Sequence, residues 1–307
     1  MQDISYKGGN FRRMDRLDRY ASIIPDFEKF REAIARPLPP TVRINSLKTR
    51  RDGLLDRLDQ GGVKFWPFGW YPFGLRLEVE KPGNLIESLM GHIHVQEEIS
   101  MVPAVVLDPK PGETVLDLCA APGSKTTQIS QIMENMGVVV ANDPSPQRIV
   151  SLRANCERMG ALNVMVTKYD GRHFPKGSFD RVLVDAPCTG QGMARKDPSV
   201  LQRWSLKRSL GIQRLQASLL KRALYLTRPG GTIVYSTCTF APEENEGVVS
   251  QVSGARLVNV EIPGLENRPG IEEWDGKVYG PEMERCARYY PHQNDTGGFF
   301  VSKFIRE

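Results

Sequence analysis

From residue 114 onward, apolar residues fall in short unbroken runs, and stretches of helical spacing separate them. Thr114 to Leu118, Gly137 to Asn142, Val164 to Thr167, Phe179 to Asp185 and Thr232 to Ser236 show little alternation. Runs of that kind predict strands covered on both faces. Between and after them, a 3.6-residue period predicts helices over Lys125 to Glu134, Pro146 to Met159, Gly211 to Leu226 and Pro242 to Gln251. Strands alternating with helices predict an α/β fold built on a doubly wound, mostly parallel sheet. The tail, Gly297 to Phe304, predicts a last strand.

The first 90 residues show another pattern. Asp15 to Ala35 has helical spacing, which Pro37-Leu38-Pro39-Pro40 stops. Short strands are predicted over Thr41 to Asn45, Val63 to Trp66 and Gly74 to Val79. A helix around Leu54 to Leu58 ends at Gly61-Gly62. Residues 1–90 are therefore expected to form a helix plus a small α+β module, and residues 91–307 the main domain. Gly91 to Leu107 should link the two, extended first and helical after.

Composition narrows the class. At 307 residues with 40% hydrophobic content, a sizeable core is available. No run of about 18 apolar residues occurs and the N-terminus lacks an apolar signal core, so a cytoplasmic protein without a membrane span is expected. The five cysteines are odd in number and contain no CxxC pair, which argues against a disulfide framework or a zinc site. A net charge of +5 says little by itself. The basic clusters say more: Lys48 to Arg51, Arg195-Lys196, Arg203, Lys207-Arg208, Arg214 and Lys221-Arg222. Each is either a solvated face or a contact for a polyanion, and the cluster after Cys188 lies next to the expected active edge.

The segment Asp117-Leu118-Cys119-Ala120-Ala121-Pro122-Gly123-Ser124-Lys125-Thr126 joins the first strand of the main domain to its helix. It lacks the glycines of a phosphate-binding P-loop and is not a dinucleotide fingerprint. Its small residues let a ligand approach backbone N–H groups, and the helix offers its positive end to a carboxylate. Asp143, after the second strand, suits two ribose hydroxyls or caps the next helix. Asp170, after the third, suits an adenine amino group or caps a loop. Acids at these strand ends without a phosphate loop favour S-adenosylmethionine over a dinucleotide.

Cys188 and Cys238 each come after a predicted buried strand, at the edge where a parallel sheet builds its site. Cys119, Cys156 and Cys286 read as small buried hydrophobes. A thiolate is useful chemistry beside a methyl donor. Carbon 5 of cytosine is a poor nucleophile until a thiolate adds at carbon 6, which splits one hard step into easier ones. The thiol must be activated, and Lys125 is placed to help. Asp185, three residues before Cys188, would serve as an acid near ring nitrogen 3.

These motifs resemble the RNA (cytosine-5) methyltransferase family, the group with Sun- and Fmu-like rRNA enzymes and archaeal and eukaryotic tRNA enzymes. The resemblance runs through Val42 to Lys48, Val95 to Ser100, the cofactor loop, Asp185-Ala186-Pro187-Cys188-Thr189-Gly190, Tyr235-Ser236-Thr237-Cys238-Thr239, Pro242-Glu243-Glu244-Asn245-Glu246, and Pro291-His292 through Gly297-Gly298-Phe299-Phe300. It implies a Rossmann-like S-adenosylmethionine-dependent fold with a small RNA-recognition-like module. It implies that Cys238 is the nucleophile and that Cys188 assists release of the product. It implies cofactor contacts from Cys119, Ala120, Ala121, Pro122, Gly123, Ser124, Lys125, Asp143, Arg148, Asp170 and Asp185. Ser124 is a departure, since many members carry Gly there.

The expected partner is RNA, tRNA ahead of rRNA, bound by a monomer without a metal. RNA would be gripped by the small module and the basic stretch Arg195 to Lys207. Trp66, Trp70, Tyr71 and Phe73 are either base-stacking platforms or core and turn residues. A non-catalytic RNA-binding assembly factor of the same fold is the alternative of a different class. An amino-group methyltransferase is disfavoured, because Asp185-Ala186-Pro187-Cys188 stands in place of its Asn/Asp-Pro-Pro-aromatic motif.

Overall fold

The computed structural model describes residues 16–307. Asp15, the expected start of the first helix, lies outside them. Instead of one continuous helix, the leading segment forms a 3-10 turn, Asp18–Tyr20, and a helix, Phe27–Ala35. Pro25 disfavours helical geometry at the residue before it, and Asp26 adopts a left-handed conformation, φ 48°. This leading segment packs toward the main domain: Leu17, Tyr20, Ile24, Phe30 and Ile34 share a cluster with Ala194, Leu201, Phe240 and Tyr290.

Strands β1 (Thr41–Ile44), β2 (Phe65–Pro67), β3 (Gly74–Leu77) and β4 (Ile93–Val95) form an antiparallel sheet in the order β2-β3-β1-β4. β4 lies past residue 90, in the segment read as a linker. It pairs with β1, Arg43 opposite His94. The helix Arg51–Gln60 sends Leu54 and Leu58 into a core with Val42, Ile44, Leu75 and Ile93. With the short helix Ile86–Leu89, the chain order is strand-helix-strand-strand-helix-strand, a split βαβ arrangement.

The main sheet starts with parallel strands β5 (Thr114–Asp117), β6 (Val138–Asn142), β7 (Val164–Thr167), β8 (Phe179–Asp185) and β9 (Thr227–Thr237). After β10 (Ala255–Val258), β11 (Arg268–Pro269) and a small hairpin of β12 (Glu273–Trp274) and β13 (Lys277–Val278), it ends with β14 (Ala287–Tyr289) and β15 (Phe299–Arg306). The order is β11-β14-β15-β9-β8-β5-β6-β7, with β10 on β15. β15, the strand expected from the tail, runs antiparallel to β9. Successive residues of β8 explain the unbroken apolar runs. Val182 and Val184 join one core with the helix Leu206–Leu226, while Leu183 joins the opposite core with Ile129 and Val102. The order reverses between β5 and β8, so the crevice at their carboxyl ends is the expected ligand site.

Candidate active site

Asp117 ends β5 and is almost fully buried. One carboxylate oxygen accepts from Thr126 Oγ1 at 2.7 Å, and the other has no hydrogen-bond partner among the described residues. Burial pushes this carboxyl up to about 7, against the opposing Thr126 bond. The loop beyond is pinned to β6 by Ala120 N–H donating to Asn142 O at 2.8 Å. Gly123 turns it at φ +104°, a conformation that favours glycine. A Cβ there would also stand 2.8 Å from Leu152 Cδ1. The helix Ser124–Ile132 then starts with no side-chain cap, leaving its first amides for another acceptor.

Asp143 is buried just past β6, and Ser145 N–H donates to it at 2.9 Å. Arg148 closes over it as an ion pair, 2.9 Å from Oδ2, and also donates to Ala121 O. Arg148 thus ties the acid to the loop. Asp170 reaches the same edge, but Arg172 holds its carboxylate at 2.5 Å, and it caps the turn Gly171–His173. That bonding to Arg172 holds its pKa down at about 2. Of the two readings of Asp170 from sequence, the capping one describes its contacts.

Lys125 Nζ donates to Asp185 Oδ2 at 2.8 Å, and Ser236 Oγ donates to Oδ1 at 2.8 Å. Both Asp185 oxygens therefore accept. Burial works against the Lys125 charge, yet Asp185, with a smaller contribution from Cys238, raises its pKa overall.

The sulfurs of Cys188 and Cys238 stand 3.2 Å apart. Adjacent parallel strands bring them together, since Asp185 of β8 is in register with Ser236 of β9. The Cys238 turn is locked by Asn245, which accepts from Thr237 Oγ1 at 2.6 Å and donates to Thr239 O at 3.0 Å. Asn245 has a non-helical backbone, so the helix expected from Pro242 begins at Glu246. Gly192 N–H donates to Cys238 O at 2.9 Å, and a Cβ on Gly192 would meet Gly298 O at 2.0 Å. The contact with Cys238 raises the Cys188 pKa, and burial adds to it. Cys119 lies in the loop as a thiol whose pKa burial pushes upward, and Cys156 and Cys286 sit in apolar clusters.

Several contributors had no role assigned from the sequence. Arg43, fully buried, crosses from β1 to donate to Gln96, Thr127 at 2.8 Å and Gln131, so the small module grips the helix Ser124–Ile132. His94 of β4 lies 3.0 Å from Ser124 Oγ on one side and 2.8 Å from Arg158 on the other. Asn142 gathers two loops: it donates to Leu118 O and Tyr169 O and accepts from Tyr169 N–H. These partners lie far apart in sequence, so no local pattern reports their pairing.

One expected RNA contact changes character, and the aromatic residues divide between their two readings. Arg195 is buried, donating to Arg36 O, Pro37 O and Thr296 O and pairing with Asp295 at 2.7 Å. It braces the loops and presents no charge outward. Trp70 stacks on Phe68 and Tyr71, and Phe73 packs beside them; Trp66 remains half exposed. Among the described residues, no helix is long and apolar enough to cross a membrane.

A doubly wound sheet with this loop at its switch point and two thiols at neighbouring strand ends defines a cysteine-bearing, Rossmann-like methyltransferase. The chain belongs to the family described as 16S rRNA methyltransferase RsmB/F, whose model matches residues 104–305. It is 41% identical to the tRNA (cytosine(49)-C(5))-methyltransferase of Pyrococcus abyssi, over 94% of each chain. It is 38% identical to the human 28S rRNA (cytosine(4447)-C(5))-methyltransferase, over 98% of this chain and 38% of the relative. Among solved structures, a methyltransferase homolog protein from Pyrococcus horikoshii superposes with a TM-score of 0.85 at 34% identity, covering 98% of this chain and 99% of the other. NSun6 from the same organism, solved with SFG, superposes with a TM-score of 0.83 at 26% identity, covering 95% and 97%.

Proposed function

We propose that the chain transfers a methyl group from S-adenosylmethionine to carbon 5 of a cytosine in tRNA. The observation that carries this reading is the pair of sulfurs 3.2 Å apart, set beside the Lys125–Asp185 pair at the switch point. S-adenosylmethionine, when bound, supplies an electrophilic methyl group. The residues fit it: an uncapped helix start after Gly123 for a carboxylate, and buried Asp143 at the end of β6 for ribose hydroxyls. Asp117 adds a buried oxygen without a partner among the described residues, at the base of the loop. The relative solved with SFG, an analogue of this cofactor, is in line with the assignment. Cys119 to Lys125, Asp143, Arg148 and Asp185 would line the site, with Asp170 at its rim.

Cys238 sulfur would bond to carbon 6 of the cytosine, moving electron density to carbon 5. After methylation a base takes the carbon 5 proton, the electrons of that bond restore the carbon 5–carbon 6 double bond, and the Cys238 sulfur leaves carbon 6 as a thiolate with its bonding pair. Cys188, in contact with Cys238, would assist that release. Lys125 would hold Asp185 in place and lend positive charge beside Cys238. The enzyme is taken to be a cytoplasmic monomer needing no metal ion.

The tRNA choice rests on the archaeal relative matched over 94% of both chains. A second reading, rRNA, is favoured by the family description and by rRNA enzymes at 38–40% identity. Nucleoside mass spectrometry after incubation with S-adenosylmethionine and unmodified tRNA or rRNA separates them. New 5-methylcytidine in tRNA is the expected result. Its appearance in rRNA alone selects the second reading. None in either, with the cofactor bound, removes both.

A further inference from the structure

Glu244 is fully buried six residues after Cys238, yet its contacts run to the other thiol's loop. Its carboxylate accepts from Thr189 N–H at 2.9 Å, Thr189 Oγ1 at 2.6 Å, Ser209 Oγ at 2.8 Å and Gln216 Nε2 at 3.2 Å. Burial raises the Glu244 pKa, and the four donors oppose that by favouring the ionised, acceptor-only form. Gln216 also donates to Pro187 O at 2.9 Å, so the residues on both sides of Cys188 are tied to one buried centre. On the Cys238 side the charged neighbour is Lys125.

We propose that Glu244 is the positioning residue that gives the two thiols different parts: it clamps the Cys188 loop and sets a buried carboxylate beside Cys188, while Lys125 sits beside Cys238. This rests on the reading of Cys188 as the group that assists release. A buried negative charge next to a thiol disfavours the thiolate. The titratable groups facing Cys188 are Cys238 from the neighbouring strand end, Glu244, and Tyr235 of β9, whose hydroxyl donates to Glu244 O at 2.6 Å. The raised Cys188 pKa comes from the contact with Cys238 and from burial, with Glu244 acting in the same direction.

Two variants separate charge from tether. Glu244→Gln removes the charge in nearly the same volume. Thr189→Val keeps the carboxylate but removes the hydroxyl tether next to Cys188. Folding is checked by circular dichroism and by S-adenosylmethionine binding. Iodoacetamide labelling of Cys188, read by mass spectrometry across pH in a Cys238→Ala background, needs no RNA. Glu244→Gln should lower the labelling midpoint, and labelling below the midpoint should speed up by as much as ~10-fold for each pH unit the midpoint moves. Thr189→Val should leave the midpoint in place. With both thiols present, S-adenosylmethionine and in vitro transcribed tRNA, each variant should lose about ten-fold or more in turnover. Each should still accumulate covalent protein–RNA adduct, as Cys188→Ala should. An unchanged midpoint in folded Glu244→Gln overturns the charge assignment, and full turnover in both variants overturns the clamp. If Cys188→Ala itself gives no adduct, the functional reading has failed, and the labelling profile alone decides the placement of the charge.

Discussion

The sulfur of Cys188 lies 3.2 Å from the sulfur of Cys238, across fifty residues of sequence. Neither side chain brings this about alone. Asp185 pairs in register with Ser236, and each chain runs on two or three residues to its cysteine. Asn245 then holds one turn and Glu244 the other. A pair of thiols so placed can act on the two faces of one event, bond formation and bond release.

Arg288 and Glu246 form an ion pair at 2.5 Å in which both side chains are essentially buried. Arg288 also donates to Phe240 O at 3.1 Å, two residues past Cys238. Removing one charge leaves the other unpaired in the interior. Glu246→Gln should cost about 3–5 kcal/mol in urea-unfolding free energy. Replacing both by apolar residues of similar volume should cost much less. Equal losses in the single and double variants would contradict the role given to burial.

Gly123 carries both a left-handed backbone and a close approach to Leu152. Gly123→Ala introduces strain of about 1–3 kcal/mol at the start of the proposed carboxylate site. Calorimetric S-adenosylmethionine affinity should fall at least ten-fold while the circular dichroism spectrum stays unchanged. Unchanged affinity would remove this loop from the binding site.

His94 is buried between Ser124 and Arg158, and its pKa is lowered to about 3, by burial first and then by Arg43 and Arg158. The unfolded chain takes up this proton near pH 6.5, whereas the folded protein resists it until about 3. Stability from this group is thus complete above 6.5 and falls as pH drops from 6.5 toward 3. His94→Gln should flatten the stability–pH slope between pH 6 and 4 by about 1.4 kcal/mol per pH unit. Parallel slopes in the two proteins would show that His94 does not titrate there.

The parallel sheet was legible because its central strands bury both faces, and apolar runs such as Val182-Leu183-Val184 of β8 report that directly. Both thiols and the proposed cofactor loop were legible because they sit at strand ends, where sequence position maps onto site position. The antiparallel strands β10 and β14 were not. Their residues, Ala255 to Val258 and Ala287 to Tyr289, are short and mixed, and pairing with β15 defines them. The same holds for β4, three residues that become a strand against β1. Arg195 misled for a similar reason. A basic residue in a loop reads as exposed, and its burial depends on carbonyls of Arg36, Pro37 and Thr296 gathered from elsewhere.

The most direct test of the central claim is denaturing-gel detection of covalent protein–RNA adduct after incubation with S-adenosylmethionine and in vitro transcribed tRNA. Cys188→Ala should accumulate a band that migrates with both protein and RNA, and Cys238→Ala should give none. Adduct in Cys238→Ala and none in Cys188→Ala would exchange the roles of the two thiols and contradict the mechanism.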